Sequence, residues 1–285
     1  MSARLRGLAQ RTQEIVTAGE YVTQDGRTVS VAAAVARARA GTRMYGPDPV
    51  PLPDPPGTPR TAAAAAPSVE VTGESSLEAA RRMTGERAGR IAVLNFASAR
   101  NPGGGFLNGA QAQEEAVCRA SALYTCLIEV PEFYDHHRAD RDVFYSDRVI
   151  HAPGVPVFRD DRGRLLDAPY EVGFLTSPAP NAGVIARRTP ERVAEIPAAL
   201  AVRAERVLEV AAAGGYRRLV LGAWGCGVFR NDPEQVAHAF RTALRADRFH
   251  GRFDQVVFAV LDRTPAATTR SAFERVLGES ARIRP

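Results

Sequence analysis

Two carboxylates stand side by side at Glu114 and Glu115, preceded by Gln113 and, a short spacer earlier, by three consecutive glycines, Gly103, Gly104 and Gly105. A carboxyl group so placed can give or take a proton on a substrate held beside it. Neighbouring carboxyls also hold one proton to higher pH, which keeps an acid available near neutrality. Glycines after a strand accept positive φ and let a ligand approach main-chain N–H groups. Helix capping accounts for acidic residues at a helix start. It does not account for the triple glycine. Together the two features describe backbone amides that hold a sugar or phosphate within reach of a carboxyl group. Asn101 and Asn108 are candidate partners for sugar hydroxyls, and Gln113 can orient a glutamate.

A second glycine-rich stretch, Gly222 to Phe229 (GAWGCGVF), follows the β-prone run Leu219–Leu221 and precedes a helix start at Asp232-Pro233. Two such loops on one edge of a sheet can present N–H donors to a diphosphate, since ligands of open α/β sheets collect at the carboxyl ends of strands.

The elements that must position these groups alternate. Strands are expected at Ser68–Thr72, Ile91–Phe96, Asp147–Ala152, Tyr170–Thr176, Arg218–Gly222 and Gln255–Val260. Helices are expected at Ser75–Met83, Glu114–Glu129, Pro190–Gly214, Pro233–Ala246 and Thr269–Leu277. In the third of these, Ile196, Leu200, Val207 and Leu208 form an apolar stripe that should face the sheet. The alternation predicts a three-layer α/β domain with a mostly parallel sheet. Ahead of it come a helix over Leu5–Val16, a hairpin turning at Asp25-Gly26, and a helix over Ala32–Ala40. Gly46 to Pro67 is rich in proline, glycine and alanine and suits an extended arm on the domain surface.

Of the 285 residues 45% are apolar and 24% charged, which suits a globular protein. No run reaches the roughly 18 apolar residues of a membrane span, and the basic, amphipathic N-terminus lacks an export signal, so the cytoplasm is expected. All 37 basic residues are arginine and the net charge is +5, compatible with a polyanionic ligand. Most arginines are expected on the solvated surface. The absence of a dense basic run speaks against sequence-specific DNA or RNA binding. Cys118, Cys126 and Cys226 read as buried, reduced thiols, and the set Cys118, Cys126, His136, His137 fits no common zinc spacing. His136, His137 and His151 accompany no nucleophile motif and read as surface or structural residues. Asp160 and Asp161 read as a solvated hairpin turn, and Phe96 and Phe258 as candidate adenine contacts.

The spacing from Gly103-Gly104-Gly105 to Gln113-Glu114-Glu115 resembles the signature of the poly(ADP-ribose) glycohydrolases, in particular their bacterial-type branch. The likeness continues at Tyr145-Ser146-Asp147, Val155 to Asp160, Ser177 to Asn181 and Gly222 to Phe229, and so covers most of the chain from about Ala92. The resemblance implies a three-layer α/β/α macrodomain with a mostly parallel or mixed central sheet over residues 68–285. Residues 1–67 would be an N-terminal helical and hairpin extension whose proline-rich arm packs on it. It further implies that Glu115 is the general acid and base and that Glu114 binds a ribose hydroxyl. Gly225, Cys226, Gly227 and Val228 would belong to the diphosphate loop, with Phe229 against the ribose near the scissile bond. The implied substrate is poly(ADP-ribose) on modified proteins, cut from chain ends by a monomer that needs no metal or redox cofactor, with ADP-ribose as product. Two rivals remain. A non-catalytic ADP-ribose reader would need the glycine loops but not Glu115. A hydrolase of mono-ADP-ribosylated protein would act on the single modification. A nucleotide oxidoreductase is disfavoured, because NPGGGF lacks the G-x-G-x-x-G pattern.

Overall fold

A computed structural model describes residues 2–52 and 66–278. Residues 53–65 of the proline-rich arm lie outside the described residues. The chain opens with helix α1 (Ala3–Ala18), a hairpin of β1 (Glu20–Val22) and β2 (Thr28–Ser30), and helix α2 (Ala32–Gly41). A seven-stranded sheet follows, built from β3 (Arg43–Tyr45), β4 (Ser68–Thr72), β5 (Ile91–Phe96), β6 (Val149–Arg159), β7 (Leu165–Ser177), β8 (Arg218–Gly222) and β9 (Gln255–Ala259). Its order is β3-β6-β7-β5-β8-β9-β4. The run from β7 to β4 is parallel, while β6 and β3 are antiparallel additions at one edge.

Both faces of this sheet are covered. Along β5, Ile91 and Val93 enter one core and Ala92 and Leu94 the other. A strand buried on both sides reads as an unbroken apolar run, and each aliphatic side chain removed from water contributes roughly 1.5–3 kcal/mol. The first face carries α1, α2, α3 (Ser76–Glu86), α4 (Gln113–Ala120), α5 (Leu123–Leu127) and α6 (Pro131–Ala139). The second carries α7 (Ala182–Arg188), α8 (Ile196–Ala213), α9 (Pro233–Arg245) and α10 (Thr268–Leu277). This is the three-layer α/β/α architecture expected from the alternation, with a mixed sheet. The stripe Ile196, Leu200, Val207 and Leu208 does lie in the second core.

Several elements differ from their expected bounds. The helix expected over Glu114–Glu129 is two helices. Ser121 between them is extended (φ −143°, ψ 178°) and bridges to Val157 of β6, and its hydroxyl accepts from Leu123 N to start α5. A sheet contact thus overrides helical composition. The strand expected to end at Ala152 runs to Arg159: a register shift between Ala152 and Val155 absorbs Pro153 and Gly154, and Pro156 keeps its place opposite Glu171. A second shift between Val157 and Arg159 bends the β6–β7 hairpin further. Its tip then meets α1, where Gly163 lies against Leu8, and Tyr170 Oη donates to Leu77 O of α3. The expected helix from Pro190 begins as a 3-10 turn, Pro190–Glu195. α6, α7 and β3 were not anticipated. α6 does carry a start signal, Pro131 at its first position with Glu132 behind it.

Candidate active site

The carboxyl ends of β5, β8 and β9 open into a cleft of about 980 Å³, walled also by α1, α4 and the β6–β7 tip. Glu114 and Glu115 lie on its wall, 3% and 7% exposed. They begin α4, where successive residues are turned by ~100°, so the two carboxyls have different anchors. Glu115 Oε1 accepts from Gly105 N at 2.9 Å and Oε2 from Ala112 N at 3.0 Å. The bond to Ala112 is half of a capping box, so Glu115 both caps its helix and faces the cleft. Glu114 Oε2 accepts from Ser98 N at 2.7 Å, and Oε1 from Asn95 Nδ2 at 3.2 Å.

Burial raises the Glu114 carboxyl to about 8, the nearby Glu115 charge adds to this, and the hydrogen bonds from Ser98 and Asn95 oppose it. Repulsion between the pair, expected to hold one proton to higher pH, is the smaller cause. Desolvation is the larger cause, and it acts on Glu114. Asn95 Oδ1 is buried without a partner among the described residues. A half-turn of that amide brings Oδ1 to the Glu114 oxygen, where a neutral Glu114 can donate to it.

The triple glycine holds the carboxylates. Gly103 and Gly104 have φ of +66° and +57°. Gly104 N donates to Asn101 O and Gly105 N to Glu115, so these amides face protein acceptors instead of lying open for a phosphate. A Cβ on Gly103 would lie 2.9 Å from Tyr124 Cδ2. Gln113 orients no glutamate. Its Oε1 accepts from Phe96 N, and its Nε2 donates to Leu94 O and Ser76 Oγ, tying the end of β5 to the starts of α3 and α4. Asn101 is exposed on the cleft wall. Asn108 lies off that wall, beside Gly109, whose carbonyl accepts from Ser2 N of α1.

The open amides are instead in the loop after β8. Among the described residues, the amides of Gly225, Gly227, Val228 and Phe229 donate no hydrogen bond to the protein, and all four residues line the cleft. Such unpartnered N–H groups suit an anion. Gly225 has φ +70°, and Trp224 Nε1 anchors the loop on Ser177 O. Cys226, expected to give a backbone contact, is half-buried; burial pushes its thiol up to about 12, and its amide donates to Ala223 O at 3.1 Å, so it adds no open N–H to the loop. Val228 is 82% exposed at the cleft mouth. Phe229 is half-buried, with its ring centroid 5.9 Å from that of Tyr145.

Tyr145 lines the cleft with φ +60°, strained for a residue with a side chain, and only the motif around it was visible in the sequence. Its loop is held by Arg203, which is buried and donates to Asp147 Oδ1 and Pro178 O at 2.9 Å each. Phe96 lines the cleft. Phe258 does not, because it is fully buried between Phe240 and Phe273. Asp160 is half-buried, binds its own turn through Arg162 N and Arg164 N, and with Asp161 lines the cleft, so this turn is not simply solvated. His137 is structural. It bridges Phe133 O and Ser146 Oγ, and burial lowers it to about 4, as burial also does for His151. Among the described residues no group of three or more His, Cys, Asp or Glu is placed to hold a metal ion, and no helix is long and apolar enough to cross a membrane.

Comparison with known proteins agrees with this geometry. Residues 9–160 match the family model described as the catalytic domain of microbial-type PARG. The fold is similar to the crystal structure of poly(ADP-ribose) glycohydrolase from Thermomonospora curvata, with a TM-score of 0.88 and 48% identity over 96% of this chain and 100% of that one. It is also similar to the same enzyme bound to the inhibitor ADP-HPD, with a TM-score of 0.86 and 50% identity over 96% of this chain and 99% of that one. A third similar structure is the Deinococcus radiodurans glycohydrolase in complex with ADP-ribose, with a TM-score of 0.78 and 44% identity over 87% of this chain and 98% of that one. No curated protein matches.

Proposed function

The chain belongs to the microbial-type poly(ADP-ribose) glycohydrolases, and from that membership we propose that it hydrolyses the ribose–ribose O-glycosidic bonds of poly(ADP-ribose) on modified proteins, releasing ADP-ribose from chain ends. The observation that carries this reading is the seating of Glu115. Its two oxygens are fixed by Gly105 N and Ala112 N on the wall of a cleft that also holds the open amides of the Gly225–Phe229 loop. The preference for chain ends rests on family likeness.

Glu115 gives its proton to the leaving ribose hydroxyl as positive charge develops on the sugar, then takes one from water entering on the same face. Glu114, kept neutral by burial, holds a hydroxyl of the reacting ribose. The diphosphate sits on the amides of Gly225, Gly227 and Val228, and the Phe229 ring, backed by Tyr145, packs on the ribose. Binding at the diphosphate places the bond over Glu115, so that free energy of association is converted into orientation. The chemistry is acid–base throughout and calls for no metal or redox cofactor.

The test is incubation of the protein with purified poly(ADP-ribose), with products followed by chromatography. The proposal expects ADP-ribose to accumulate while mono-ADP-ribosylated protein stays intact. Polymer bound but left whole would make the protein a reader instead.

A further inference from the structure

Among the described residues five arginines are buried: Arg119, Arg159, Arg203, Arg206 and Arg218. Three have a carboxylate within ion-pair reach. Arg203 pairs with Asp147, Arg206 with Glu209, and Arg218 with Glu86. Arg119 and Arg159, 8% and 5% exposed, have none among the described residues, and these two line the cleft. A buried guanidinium without a counter-charge is costly, and an anion delivered from solution relieves that cost.

The two are mounted on one frame. Thr12 Oγ1 of α1 donates to Arg119 O at 2.7 Å and accepts from Arg159 Nε at 3.2 Å. Arg119 Nη1 donates to Ala110 O and Arg159 Nη1 to Gly163 O, both backbone carbonyls. Neither Nη2 makes a hydrogen bond among the described residues, and neither is sealed from solvent. Glu115, four residues away on α4, favours the Arg119 charge without forming an ion pair with it, and Arg4 on the same wall opposes that charge. Of the carboxylates nearby, Glu115 is held by its two amides, Asp160 pairs with Arg164, and Asp161 pairs with neither buried arginine. This wall is made by α1, α4 and the β6–β7 tip, elements other than the Gly225–Phe229 loop that follows β8, and both line the one cleft.

We propose that Arg119 and Arg159, with Arg4 beside them, form a second anion subsite that holds the diphosphate of the ADP-ribose unit on the leaving side of the scissile bond. The inference rests on the proposed glycohydrolase function and deepens it. The leaving oxygen is a hydroxyl of the adenosine ribose in the preceding unit, and that ribose carries its own diphosphate. Arg119 stands one helical turn from Glu115, four residues on along α4, so its side chain lies on the same helix face as the proposed acid. A substrate whose bond lies over Glu115 therefore brings its second diphosphate towards Arg119. The subsite favours polymer over a single ADP-ribose, because only polymer reaches both anion sites.

The test uses Glu115→Gln protein, which should bind without cutting, and compares affinities for ADP-ribose and for the ADP-ribose dimer. The dimer should bind roughly tenfold more tightly, the effect of charge-assisted hydrogen bonds to one diphosphate. Adding Arg119→Gln, which keeps an amide donor for Ala110 O, should bring the ratio to about one. If that double variant does not fold, the salt dependence of the ratio in the Glu115→Gln parent decides. A ratio that falls steadily as sodium chloride rises supports the subsite. A ratio near one in the parent, a ratio that survives Arg119→Gln, or one indifferent to salt overturns the subsite alone. Failure of ADP-ribose itself to bind overturns the functional reading beneath it.

Discussion

Gly104 and Glu115 share a space that admits no side chain on the glycine: a Cβ there would lie 2.6 Å from Glu115 Oε1 and 3.0 Å from Glu114 Oε2. The same residue has φ +57°, where a side chain is already strained. Gly104→Ala should therefore displace the proposed acid while leaving the core intact. We expect ADP-ribose release to fall about 100-fold, as small misplacements of a reacting group do. The strain should lower stability by only about 1–2 kcal/mol. Kinetics beside a thermal melt check this, and a fully active Gly104→Ala protein would show that Glu115 is not held in place by this contact.

Glu114 should make stability depend on pH. Its value moves from 4.5 to about 8 on folding, so between those limits the folded chain binds the proton and the unfolded chain does not. Stability is then fully present below pH 4.5 with respect to this group and is lost as pH rises towards 8, by up to ~1.4 kcal/mol per pH unit. His137 and His151 act in the opposite sense. Both are lowered from 6.5 to about 4, so stability falls as pH drops through that interval. Urea melts across pH 5 to 9 should show a maximum near pH 6.5, and Glu114→Gln should flatten the alkaline limb. An alkaline limb unchanged in Glu114→Gln would assign it to another group.

Two glycines of the proposed diphosphate loop, Gly225 and Gly227, should respond differently to alanine. At Gly225 a Cβ would meet Ala179 Cβ and Asn231 Nδ2, each at 2.5 Å, and φ is +70°. At Gly227 nothing lies within 4 Å. Gly225→Ala should lower the melting temperature by several degrees, the effect of roughly 2 kcal/mol in strain and overpacking. Gly227→Ala should leave it within a degree. Equal melting temperatures for both variants would contradict the loop conformation.

Arg203 should matter for the site without touching it. Its bonds to Asp147 and Pro178 O hold the loop in which Tyr145 is strained. Arg203→Met removes one partner of a largely buried pair, a loss of roughly 3 kcal/mol. With Tyr145 no longer braced against Phe229, KM for polymer should rise several-fold. A variant that is destabilised but keeps its KM would confine Arg203 to the core.

How much of this was legible depended on whether a residue's surroundings are local. β5 was readable because burial on both faces makes its alternating contacts one apolar run. The glycine and glutamate stretch was readable as a site, yet which amides serve it was not. The Gly104 and Gly105 amides serve Asn101 and Glu115, and the open ones follow β8. The break at Ser121 depends on Val157, 36 positions later in the chain, so composition could not show it. Phe96 and Phe258 looked alike as adenine candidates, and only packing separates the cleft residue from the core one. Arg119 and Arg159 were invisible because arginine is ordinarily a surface residue, and their burial comes from the folding of α1 and the β6–β7 tip over them.

The role of Glu115 is decided by Glu115→Gln, with ADP-ribose affinity and polymer turnover measured on the same preparation. The variant should still bind ADP-ribose, because the proposed diphosphate loop after β8 is untouched, while release from polymer falls by about 1,000-fold or more, the scale of general acid–base catalysis. A variant that binds ADP-ribose and still cuts polymer at the native rate would contradict the assignment of the acid to Glu115.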